Sequence, residues 1–138
     1  MHLDLITSQR AIAAAIARAE DLGARVSVAV VDAGGNLIAF CRMDRAEIAG
    51  PVLAVDKAYT AVSNRMATHE LAELAAPGGP LFGIHANGGG RFVIFGGGIP
   101  VMDAAGEVTG AVGVSGGAVE EDVACAEAGV AAVADSRG

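Results

Sequence analysis

Residues 26–43 read VSVAVVDAGGNLIAFCRM, and this stretch decides the fold class. Val26 to Val31 is rich in β-branched residues and apolar on both faces, the pattern of a strand covered on both sides. Asp32-Ala33-Gly34-Gly35-Asn36 is a turn, and Leu37 to Met43 returns as the second strand of a hairpin. Adjacent strands joined by short turns pair antiparallel, so the chain is of the α+β class rather than a doubly wound α/β fold.

The remaining elements follow outward from the hairpin. Upstream, Thr7 or Ser8 caps a helix over 8–22, with Ile12, Ile16, Ala13 and Ala19 on one face and Gly23 at its end. Downstream, Pro51 suits a first helical turn, and Val52, Val55, Tyr59 and Val62 recur at helical spacing to Asn64. Thr68 caps a short helix stopped by Pro77. A glycine-rich loop covers 77–90. Strands are expected at Arg91–Phe95, Ile99–Asp103 and Glu107–Val114, with turns at Gly96-Gly97-Gly98 and Ala104-Ala105-Gly106. A last helix spans 118–134, with Val119, Val123, Ala126 and Val130 on one face, acids Glu120, Glu121 and Asp122 in its first turn, and Ser115 as its cap. The expectation is one domain over 1–138 with a five-stranded antiparallel sheet and helices packed on it. In the last strand Thr109, Ala111, Gly113 and Ser115 form a face of small residues that admits a close neighbour.

Composition narrows the function classes. The 138 residues are 53% hydrophobic, which excludes disorder, yet no apolar run approaches a membrane span. The start, Met1-His2-Leu3-Asp4, does not read as a signal peptide, so a cytoplasmic address is expected. A net charge of −7 argues against nucleic acid as a partner. Cys41 and Cys125 fit no metal or redox spacing and read as buried thiols. No GxGxxG joins a strand to a helix and no GK[ST] occurs, so no nucleotide cofactor is expected.

Several residues carry possible chemistry. Arg91 follows Gly88-Gly89-Gly90 and lies near Gly96, Gly97 and Gly98; glycine turns expose amides, and a guanidinium holds a carboxylate bidentately. Lys57 is the only lysine beside eight arginines and lies mid-helix. His85 sits in the glycine loop with Asn87, placed to act as a general acid/base or as an axial ligand. His69-Glu70-Leu71-Ala72-Glu73 resembles HExxH but lacks the second histidine, so no zinc site is expected and a solvated helix face is the plainer reading. Asp44 can serve as a base or as the ion-pair partner of Arg42, Arg45 or Lys57.

Taken together, residues 28–37 with Ala39-Phe40 and Arg42-Met43-Asp44, Asp56-Lys57-Ala58-Tyr59-Thr60-Ala61, Gly-Gly-Arg at 89–91, Phe-Gly-Gly-Gly-Ile-Pro at 95–100 and Gly-Ala-Val-Gly-Val-Ser-Gly at 110–116 resemble the GlcG/HbpS family. That family is related to a C-terminal domain found with corrinoid adenosyltransferases. The resemblance implies a profilin-like α-β-α layered domain, a homo-oligomer, and pocket positions at Lys57 and the Gly-Gly-Arg segment. Relatives include haem or iron binders and proteins found beside glycolate-oxidation or corrinoid functions.

Three functions compete. The leading expectation is a cofactor-independent enzyme that hydrolyses, eliminates or isomerises a small carboxylate, possible as a catabolic intermediate. Arg91, Lys57, Asn87 and the Gly96–Gly98 amides would bind the anion, and His85 or Asp44 would move a proton. The alternative is a haem-binding or haem-sensing protein with His85 or His69 as axial ligand. The third is an assembly module without chemistry.

Overall fold

A computed structural model of the chain describes residues 3–137. The 26–43 hairpin is formed by β1 (Ser27–Asp32) and β2 (Leu37–Arg42). Asp32 closes it: its Oδ1 accepts the backbone N–H groups of Gly34 and Asn36, both at 2.9 Å, and Gly35 takes a φ of 80°. A second hairpin joins β3 (Gly98–Met102) to β4 (Val108–Ser115). It uses the same device, with Asp103 Oδ1 accepting from Ala105 and Glu107 and with Gly106 at φ 82°.

The two hairpins join through their inner strands into one antiparallel sheet of order β2-β1-β4-β3. The apolar-on-both-faces pattern of β1 therefore has a simple cause, since β1 and β4 are the central strands and both of their faces are covered. On one face lie α1 (Leu5–Leu22) and α4 (Val119–Arg137), packed on each other and on Val28, Val30, Val112 and Val114. All four valines are fully buried, and each contributes about 1.5–3 kcal/mol relative to exposure. On the other face lies α2 (Gly50–Asn64), with Ala58, Ala61 and Val62 against Val31 and Ala111. The small-residue face of β4 is what admits it: a Cβ at Gly113 would run into the Ala54 carbonyl. The result is the expected α-β-α layering. No helix among the described residues is long and apolar enough to cross a membrane.

Three caps differ from expectation. Asp4, not Thr7 or Ser8, caps α1 by accepting the Thr7 N–H at 2.7 Å, and that bond holds its carboxyl below the ordinary value. Thr68 is the first residue of α3 (Thr68–Leu74), and its hydroxyl oxygen accepts the Gly98 N–H at 2.9 Å instead of capping. Ser115 ends β4; the amides before α4 are satisfied by Asp122, from Gly117, and by Glu121, from Ala118.

The sheet has four strands, not five. Residues 91–95 form no strand because the side chains of α2 take their backbone groups. The Thr60 hydroxyl oxygen accepts the Val93 N–H at 2.9 Å and lies 3.3 Å from the Arg91 carbonyl, while Phe92 stacks on Tyr59 at 6.2 Å between centroids. Thr60→Val keeps the side-chain shape but leaves the buried Val93 amide without an acceptor. The expected cost is about 1–3 kcal/mol in urea denaturation, with fast hydrogen exchange at Val93. Thr60→Ser should behave like the parent; equal stability of all three proteins would show that the hydroxyl does not hold the segment.

Candidate functional site

Lys57 leaves α2 fully buried and runs past the strand ends of the sheet. Its ammonium donates to the Val114 carbonyl at 2.9 Å and to Asp122 Oδ2 at 3.1 Å, joining the α2 layer to α4 on the opposite face. Gly97 makes room for it: a Cβ there would lie 2.8 Å from Lys57 Nζ, and the glycine has a φ of 129°. Burial pushes the Lys57 ammonium pKa down, with Asp122 opposing that shift, and burial pushes Asp122 up, with Lys57 opposing.

Against this pair lies Phe95, its ring centroid 5.1 Å from Lys57 Nζ, a residue that is 40% exposed. The next residue, Gly96, sits in a notch. A Cβ at that position would come within 2.7 Å of Val123, 3.0 Å of Val119 and 3.2 Å of the His69 Cβ. His69 and Val119 are exposed, and Val123 is half-buried. Gly96, α3 and α4 thus bring the Cβ of His69 together with the side chains of Val119 and Val123.

The other expected residues lie apart from this cluster. Arg91 Nε donates to Asp56 at 3.0 Å, and its guanidinium lies 3.7 Å over the Tyr59 ring. Lys57 and Arg91 therefore have different carboxylate partners, Asp122 and Asp56. The amides of Gly90, Arg91 and Gly98 already donate within the protein, to Asn87, Gly88 and Thr68. His85 and Asn87 are exposed on the 77–90 loop, where two 3-10 turns, Ile84–Ala86 and Gly88–Gly90, are closed by local hydrogen bonds. Asp44 lines a groove of about 530 Å³ with Ile16, Glu20, Arg25, Cys41, Arg42 and Met43, a wall that includes none of His85, Arg91 and Lys57. Cys41 is half-buried and Cys125 buried, both free, and burial raises the Cys125 thiol to about 11. Among the described residues no group of three His, Cys, Asp or Glu side chains is placed to hold a metal ion.

A family described as haem degrading protein HbpS-like matches residues 3–131. The chain belongs to the HbpS-like family. A 15.0 kDa protein from the dhaT-dhaS intergenic region of Citrobacter freundii is 42% identical over 91% of this chain and 87% of its own length. The corrinoid adenosyltransferase PduO of the same organism is 41% identical over 87% of this chain, which spans only 36% of that longer protein. Among solved structures, a PduOC:haem complex superposes with a TM-score of 0.89 at 37% identity, covering 96% of this chain and 95% of that one. A double mutant of Streptomyces reticuli HbpS gives 0.87 at 35% identity, over 95% and 86%.

A haem needs apolar cover for its faces and a nitrogen, sulfur or oxygen donor for its iron. This HbpS-like chain offers two such combinations. The His69 Cβ packs with Val119 and Val123 around Gly96, the residue next to Phe95 in sequence. His85 shares its loop with Phe82, which is 62% exposed. The residues present fit the group at either histidine. His2 lies outside the described residues.

Sequence reasoning found Lys57 but missed Asp122 as its partner and missed the patch around Gly96. Asp122 was hidden among three consecutive acids, each of which suits a helix start. Lys57→Met leaves Asp122 buried without a counter-ion, and the expected loss is about 3–5 kcal/mol in chemical denaturation. The double variant Lys57→Met/Asp122→Leu should recover most of it; a single variant as stable as the parent would show that the pair carries no weight.

Proposed function

We propose that this chain binds haem. The observation that supports it best is the likeness to the PduOC:haem complex, which extends over nearly the full length of both chains. The surface is compatible with that reading, because His69 and His85 are both exposed and the His69 Cβ packs with Val119 and Val123 around Gly96. Bound haem supplies a redox-active iron; the chain supplies a nitrogen donor from His69 or His85 and apolar contact from their neighbours. The small-carboxylate reading, with its hydrolase chemistry, has no comparable support. Both of its cations are paired with carboxylates, Lys57 with Asp122 and Arg91 with Asp56.

Adding haemin to the purified protein should give a sharp, shifted Soret band that saturates at one haem per chain. A weak, unshifted spectrum that grows without saturation would sink the proposal.

We also propose that the chain assembles with copies of itself. Ile48, in the turn before α2, is 90% exposed and Val52, in its first turn, 66% exposed, apolar area that a monomer leaves in water. Light scattering at micromolar concentration should report an oligomer, with an interface above about 1,000 Å² in total. A monomer at that concentration is the contrary result.

A further inference from the structure

Resting on the haem reading, we infer that His69, rather than His85, is the axial ligand, and that Phe95, Val119 and Val123 form the apolar seat beside it. The two histidines differ in how their surroundings are built. His69 belongs to α3, which is held in place by the buried Leu71 and by the Thr68 hydroxyl accepting the Gly98 N–H. Its neighbours come from two other parts of the chain, and all meet at Gly96, where the lack of a side chain lets His69, Val119 and Val123 close around the backbone. Phe95 is set over the buried Lys57 ammonium. A flat apolar ligand laid on this surface meets backbone that tertiary contacts already hold, so little ordering of the chain opposes binding.

His85 has no such support. Its loop is exposed on nearly every residue from 76 to 90 and is closed by short-range bonds such as Ile84 N–H to Leu81 and Asn87 N–H to Ile84. Ligation there would have to fix a segment whose contacts are local.

The charges around His69 shape the binding. Glu70 follows it in α3, and Glu120 follows Val119 in α4. The haem propionates gain no attraction from these carboxylates, so the iron–imidazole bond and apolar contact must hold the group. Affinity should then stay level or rise as salt screens the carboxylates, rather than fall.

The test compares haemin binding to the parent chain and to His69→Ala, His85→Ala, Phe95→Ala and His69→Gly, by absorption and electron paramagnetic resonance. Circular dichroism checks that each variant is folded. His69→Ala should bind at least about tenfold more weakly and lose the spectrum of a histidine-ligated iron. Imidazole added to His69→Gly should restore that spectrum, Phe95→Ala should weaken binding without changing it, and His85→Ala should match the parent. If the parent binds haem and His69→Ala keeps its spectrum and affinity, the ligand assignment is overturned while haem binding stands. If the parent shows no specific Soret band, both fall together.

Discussion

The ammonium of Lys57 joins layers that the sheet would otherwise keep apart. It starts on α2, passes the glycine at 97, and meets Asp122 at the start of α4. Asp122 accepts the Gly117 N–H with its other oxygen, so one carboxylate both anchors the entry to α4 and neutralises the buried charge. A buried ion pair adds little net stability compared with well-packed apolar side chains. What it excludes is any docking of α2 that leaves one of the two charges in the interior without its partner. The glycines reinforce that choice: a Cβ at Gly98 would strike the Lys57 carbonyl, and one at Gly113 the Ala54 carbonyl. Helix, strands and charge pair are therefore compatible in one register.

This interior arrangement also shapes the surface above it. Gly97 and Gly98 bring β3 against α2, which leaves Phe95 and Gly96 just outside the ion pair. Thr68 ties α3 to the same turn, and α4 begins beside it because Asp122 is held by Lys57. The patch around His69 is the outer side of the contacts that fix the layers.

Much of the fold was legible because it rests on local chemistry. The two D-x-x-G turns announce their hairpins, since an Asp side chain collects the amides and a glycine supplies the positive φ. The β1 pattern correctly indicated a strand covered on both faces. The failures are non-local. Arg91-Phe92-Val93-Ile94-Phe95 has strand composition, but Thr60, distant in sequence, takes the Val93 amide, and tertiary contact overrides propensity. In α4 Val119, Val123, Ala126 and Val130 suggested the buried face, and of these only Ala126 is fully buried. The structure instead buries Asp122, Cys125, Ala126, Gly129 and Val133. Small residues won because α1 approaches closely, with the Ala11 carbonyl 3.1 Å from where a Gly129 Cβ would be. That same rotation turned Asp122 inward and left Val119 exposed, and the reading of the candidate site changed with it.

The charge distribution then separates the candidate ligands. A chain of net charge −7 repels anions at long range, and holding a small carboxylate would need cations free to face it. Lys57 and Arg91 are instead used within the fold. The lysine is sealed with Asp122, and the guanidinium bonds Asp56 while covering the Tyr59 ring. A small acid offers few contacts besides its charge, so it has little to gain at these positions. A haem is anionic as well, but its charge is confined to one edge, and most of its binding surface is apolar. It can be held by dispersion, by removal of apolar area from water and by one bond to iron, none of which requires a positive field. Val119 beside His69, and Phe95 one residue from the Gly96 on which His69 packs, offer those contacts where the fold has left no free cation from Lys57 or Arg91.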